Sequence, residues 1–98
     1  VSDLTFEWDG QKAASNLAKH GVSFPLAALV FTDPARLSAP DLRRDYGEDR
    51  FIVLGQVAGR VMVVAATRRG SPPVIRLISA RKANDRERKR YERGKVQD

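Results

Sequence analysis

Apolar and polar residues alternate over Leu4-Thr5-Phe6-Glu7-Trp8, which places Leu4, Phe6 and Trp8 on one face of a short edge strand. The period then lengthens. Ala13, Ala14, Leu17 and Ala18 form a narrow stripe on a helix from about Gly10 to His20. Asp9 is placed to cap its free N–H groups, and Gly21 to end it in the left-handed conformation, with Val22 folding back on Leu17. A second short helix is expected from Ser23, with Pro25 tolerated in its first turn. Leu26, Ala27, Leu29, Val30 and Phe31 make it apolar and therefore buried. Asp33-Pro34 stops it, because a residue before proline avoids the helical region.

Ala35 to Asp49 reads as a charged loop of 15 residues, a length that in small domains often carries function. Three strands follow: Phe51 to Val57, Arg60 to Thr67, and Val74 to Ala80. Ala58-Gly59 suits a tight hairpin between the first two, and Arg68 to Pro73 is a turn-rich link. Apolar residues at both parities imply a sheet covered on two faces. Ala83 to Arg93 is a run of helix formers ending at Gly94, with Ala83, Glu87 and Tyr91 sharing a face and almost no apolar stripe. The expected class is α+β: a short N-terminal strand, two helices, a three-stranded antiparallel sheet and a C-terminal helix.

The 98 residues suffice for one domain spanning 1–98. With 42% hydrophobic and 31% charged residues the chain is globular rather than disordered. It has no cysteine, which excludes disulfides and thiolate metal sites, and its one histidine excludes a His-rich zinc site within one chain. No apolar run approaches the roughly 20 residues that span a bilayer, and Val1-Ser2-Asp3-Leu4 has no signal-peptide character. A cytoplasmic protein without metal or cofactor, and without a membrane partner, is expected. The net charge is +6 and unevenly placed: residues 1–80 carry 10 Lys/Arg against 8 Asp/Glu, residues 81–98 carry 8 against 4. Such a basic end attracts polyanions such as nucleic acid, and charge alone fits an acidic protein or an anionic membrane surface equally.

Several runs are distinctive. Phe6-Glu7-Trp8-Asp9, Lys12, Asn16, Lys19-His20-Gly21-Val22-Ser23-Phe24, Val30-Phe31 and Asp33-Pro34 are followed by Gly47-Glu48, Arg50 and Gly55. Thr67-Arg68, Ile75-Arg76-Leu77-Ile78-Ser79-Ala80-Arg81-Lys82-Ala83, Glu87-Arg88 and Tyr91-Glu92 complete the set. Together they resemble the BrnT family of toxins over nearly the whole chain. Pro25-Leu26 depart from the acidic residues that members usually carry there, and Arg69 to Pro73 also looks locally variable. The resemblance implies a fold similar to the RelE toxins and a ribonuclease acting on RNA. It also implies a cognate BrnA antitoxin, and operator DNA bound only through the toxin–antitoxin complex. It carries over no catalytic residue.

Metal-free RNA cleavage needs a base for the 2′-hydroxyl proton, an acid for the leaving 5′-oxygen, and cations for the charge on phosphorus. Arginine suits the last role because its planar fork stays charged and grips phosphate through two bonds. Arg76 interrupts an apolar strand, so it faces either a pocket or a structural ion pair with an acid such as Glu7 or Glu48. Arg81 ends the same strand and faces the opposite side by simple alternation; the two share a site only if the chain bends. Arg50 and Arg68 adjoin across a hairpin, or else are solvated edge residues. His20 is the one side chain whose type titrates near neutrality, or else a helix-end residue bonding last-turn carbonyls. Glu48, Glu87 and Tyr91 are further proton-transfer candidates, although Glu87 in a solvated pair and Tyr91 packed on the sheet are the plainer alternatives, and Tyr91 could instead stack on a base. Arg86, Arg88, Lys89, Arg90, Arg93 and Lys95 read as a phosphate-tracking surface, or the surface an acidic antitoxin covers, and Lys19 is a further RNA-binding candidate. The main reading is a metal-independent endoribonuclease that inhibits translation. A non-catalytic nucleic-acid-binding module or a protein-interaction domain are the alternatives.

Overall fold

The computed structural model describes residues 4–43, 45 and 47–96. Its elements in chain order are β1 (Phe6–Glu7), α1 (Gly10–His20), α2 (Phe24–Ala27), a 3-10 turn (Ala28–Thr32), β2 (Leu37–Pro40), β3 (Arg50–Val57), β4 (Arg60–Arg69), β5 (Val74–Lys82) and α3 (Asp85–Val96). The α+β class is as expected, and the sheet is larger. It has five strands in the order β1-β5-β4-β3-β2, with β1 parallel to β5 and the other pairs antiparallel. The three-stranded, RelE-like layout is therefore corrected to a five-stranded mixed sheet. Part of the expected loop is β2, paired through its backbone to Phe51–Leu54.

Local chemistry sets the ends of α1. The Asp9 carboxylate accepts the N–H groups of Gln11 and Lys12, and Gly21, at φ 71°, donates its N–H to Leu17. The helix is turned from the orientation its alanines suggest. Asn16 is its buried residue, whereas Leu17 is half exposed. The Asn16 carboxamide donates to the carbonyls of Ala80 (2.8 Å) and Val22 (2.9 Å) and accepts the Ala80 N–H (3.0 Å). It thus pairs with β5 as a neighbouring strand would, covering part of an open edge.

The expected second helix is two pieces, α2 and the 3-10 turn, and only part of it is buried: Phe24, Ala27, Val30 and Phe31 point inward while Leu26 and Leu29 remain partly exposed. These inward residues pack with Val22 on one sheet face, against Phe51, Val53 and Val57 of β3, Met62, Val64 and Ala66 of β4, and Ile75, Leu77 and Ala80 of β5. Gly55 permits the close approach, since a Cβ there would lie 2.8 Å from the Val30 Cβ and 3.0 Å from its carbonyl oxygen.

The opposite face holds a smaller core of Leu54, Val61, Val63 and Tyr91, with Leu37, Ile52 and Ala83 packed against it. Here α3 docks. Its N-terminus is closed by Asn84, which accepts the Glu87 N–H (2.8 Å) while Glu87 accepts the Asn84 N–H (2.9 Å). The helix runs on through Gly94, which lies close to Leu37, rather than stopping before it. Tyr91 anchors it: its hydroxyl donates to Asp33, whose carboxylate also accepts the N–H groups of Gln56 (2.8 Å) and Ala35 (2.9 Å).

Candidate active site

Only part of the second face lies under α3. The remainder is the floor of a cleft of about 340 Å³ between α3, β2 and the segment after it. Ile52, Leu54, Val63, Ala65 and Ser79 contribute to its lining from the sheet. Its charged lining is Asp41, Arg43, Arg81, Glu87 and Arg90.

A bulge in β5 decides which arginines share this face. Ala65 pairs with Ser79 but Ala66 pairs with Leu77, so Ile78 is an extra residue without a partner in β4. Arg76 lies opposite Thr67 and Arg81 opposite Val63, two positions of equal parity on β4. Arg76 and Arg81 therefore share the α3 side of the sheet, which simple alternation denied them.

Arg81 is held firmly. Its two terminal nitrogens donate to the two Glu87 carboxylate oxygens, both at 2.8 Å, and Nη1 also approaches the Lys82 carbonyl at 3.4 Å. The bond from Arg81 keeps the Glu87 carboxyl below its ordinary range, and the same pairing raises the Arg81 pKa. Among the described residues nothing accepts from Arg81 Nε, so Nε and the second Nη2 proton form a free edge of the fork. Arg90 stands on the α3 side of the cleft, and Arg86 and Arg93 share its flank of the helix by spacing. Arg43, bonded through Nε and Nη2 to buried Asp41, stands across from it.

Arg76 donates to Glu7 at 3.1 Å, the partner that register places beside it on β1. Glu48 is bonded by Arg50 (3.0 Å) and Arg69 (3.2 Å), and these, Arg50 first, hold its carboxyl below the ordinary range. Arg68 lies over the Phe51 ring at 4.4 Å, on the face away from α3. Arg50 and Arg68 do line one hollow at the start of β3, of about 610 Å³, but with Asp41, Asp45, Glu48 and Asp49. Four carboxylates against two guanidinium groups make that hollow unfavourable for phosphate.

Tyr91 is 1% exposed, and burial, then its bond to Asp33, raises its hydroxyl pKa far above neutrality. It is placed as an anchor of α3. Lys19 and His20 lie elsewhere, in a groove of about 440 Å³ between α1 and the β5 edge, together with Lys12 and Ser79. Arg86, Arg88, Lys89 and Arg93 are exposed on α3, where Arg88 pairs with Asp85 at 2.9 Å; the Lys95 side chain lies outside what is described.

A model of the BrnT family, the ribonuclease toxin of a type II toxin–antitoxin system, matches residues 8–87. The chain belongs to the BrnT family. Comparison with curated proteins gave no match. The family brings with it an antitoxin partner and an RNA target. The matched BrnT region contains the whole sheet floor of the cleft, Arg76, Arg81 and Glu87, and ends within the first turn of α3. No helix among the described residues is long and apolar enough to cross a membrane. Sequence reasoning passed over Arg43, Ser79 and Asp33 as functional or organising residues. Asp33 carries a signal, an acid before proline, which marks a helix stop and one of the family-like runs but not the anchor of α3.

Proposed function

We propose that this BrnT chain is an endoribonuclease that cleaves single-stranded RNA in the cleft beneath α3 and so inhibits translation. The observation that carries the reading is Arg81: a guanidinium fixed from behind by Glu87, with a free fork edge in a hollow flanked by Arg43 and Arg90. A phosphate seated there meets a rigid two-bond donor and two further cations.

In the reaction the 2′-oxygen bonds to phosphorus, the bond from phosphorus to the 5′-oxygen breaks, and the 2′-proton leaves as the 5′-oxygen gains one. The products are a cyclic phosphate and a 5′-hydroxyl. Negative charge grows on the phosphorus oxygens, where Arg81 is already in place without reorganisation. Glu87 is a positioning residue, because a carboxyl held in its ionised form is a poor proton acceptor at neutral pH. Arg76 extends the positive face past the bulge, and Arg86, Arg88, Lys89, Arg90 and Arg93 give the substrate a basic helix to approach. The chemistry as written uses arginine in place of a metal. A BrnA-like antitoxin covers this same face, operator DNA is bound only by that complex, and the protein acts in the cytoplasm.

Incubation of the chain with purified RNA and, separately, with a translating extract tests this reading. Cuts in purified RNA support a free-standing ribonuclease, and cuts only in the extract support one that needs the ribosome. RNA retained but uncut in both would overturn it in favour of a non-catalytic binding module.

A further inference from the structure

Three hollows among the described residues differ in the charges that line them. The hollow at the start of β3 is lined by four carboxylates and two arginines. The groove along α1 offers Lys12, Lys19 and His20 against Asp9 alone, and the Asp9 carboxylate is tied to the N–H groups of its own helix. Those bonds, Lys12 first, also hold its carboxyl below the ordinary value of 3.8. Of these three, the groove and the cleft suit a polyanion better than the hollow at the start of β3.

They also meet. Among the described residues Ser79 lines both, and it is exposed at the edge of β5 immediately after the bulge. β1 pairs with β5 only at Ile75 and Arg76, and beyond that Asn16 occupies the backbone of Ala80. Lys12 and Lys19 are seven residues apart on one helix face, about 10 Å along the axis at roughly 1.5 Å per residue. That separation suits two different phosphates of one strand.

We propose that an RNA strand seated in the cleft crosses the β5 edge at Ser79 and continues along α1, where Lys12 and Lys19 hold its phosphates. The inference rests on the ribonuclease reading and adds to it a second subsite on the opposite side of the edge strand. It also accounts for the open edge: the strand needs β5 uncovered between Arg76 and Ala80.

The test uses 2′-O-methyl oligoribonucleotides of mixed sequence, which lack the attacking hydroxyl, in lengths of about 4 and about 12 nucleotides. Fluorescence anisotropy is measured for the wild type, Arg81→Ala, and the double variant Lys12→Ala/Lys19→Ala. Both lysines are exposed, and the melting temperature of the double variant checks that the fold is kept. The expected result is tighter binding of the long oligomer by the wild type and loss of that gain in the double variant. Its salt dependence should fall by about 1.4 in log–log slope, at roughly 0.7 per phosphate on a single strand. The short oligomer should bind the double variant as it binds the wild type, and Arg81→Ala should weaken both lengths. Equal binding of the long oligomer by the wild type and the double variant, with Arg81→Ala still weakened, overturns the α1 path and leaves the cleft reading intact. No binding of either length by the wild type overturns both.

Discussion

Arg81 and Glu87 face each other across the junction of β5 and α3, joined by two parallel bonds of 2.8 Å. The same carboxylate closes the capping box with Asn84, so the start of the helix and the guanidinium are fixed by one residue. The Glu87 pKa is lowered in the folded state. Its contribution to stability is therefore present above the ordinary value of 4.5 and lost as pH falls through the folded value. In Glu87→Gln the acid limb of the stability curve should flatten below about pH 4.5. Because the Arg81 side chain is 40% exposed, the loss at neutral pH should stay near about 1 kcal/mol. Urea melts across the pH range check both, and an unchanged acid limb would remove Glu87 from this role.

Gly55 lies under the 3-10 turn with no room for a side chain. Gly55→Ala should force Val30 away and destabilise the fold by about 1–3 kcal/mol. The drop would be read as a shift in the midpoint of denaturant unfolding. A neutral substitution would mean that the turn is not packed as closely as described.

Asn16 satisfies three backbone groups with one carboxamide. Asn16→Leu keeps the branched heavy-atom shape and leaves the Ala80 N–H and two carbonyls without their partner, at about 1–3 kcal/mol per buried group. A strongly lowered melting temperature is expected. Hydrogen exchange at the Ala80 amide should rise ahead of global unfolding, and a protected Ala80 amide in the variant would sink the clamp.

Tyr91→Phe should cost stability, by about 1–3 kcal/mol for the hydroxyl bond lost to Asp33, while leaving the cleavage rate and its pH profile near neutrality unchanged. A variant with normal stability and lost cleavage would make Tyr91 a participant in the chemistry.

Features set within a few residues were legible in the chain. The span of α1 follows from Asp9 and Gly21, each acting on its own helix end, and the β3–β4 hairpin from Ala58-Gly59. Features set by distant partners were not. Leu37-Ser38-Ala39-Pro40 has no strand pattern and becomes β2 only through its backbone bonds to β3. The rotation of α1 depends on Asn16 meeting Ala80, 64 residues further on. The expectation that Arg76 and Arg81 point apart failed for the same reason, since alternation holds within a strand and the bulge at Ile78 is a property of its pairing with β4. Arg81 and Glu87 were both singled out, but their bond depends on how α3 leaves β5.

The most direct measurement is single-turnover cleavage of purified RNA in excess EDTA by the wild type, Arg81→Ala and Arg76→Ala, with melting temperatures alongside. The account predicts cleavage by the wild type and a loss of roughly 10²–10³-fold in Arg81→Ala, the scale for removing one preorganised donor. Arg76→Ala should lose less, and both variants should stay folded. Cleavage by a folded Arg81→Ala at the wild-type rate would contradict the placement of the reaction in this cleft.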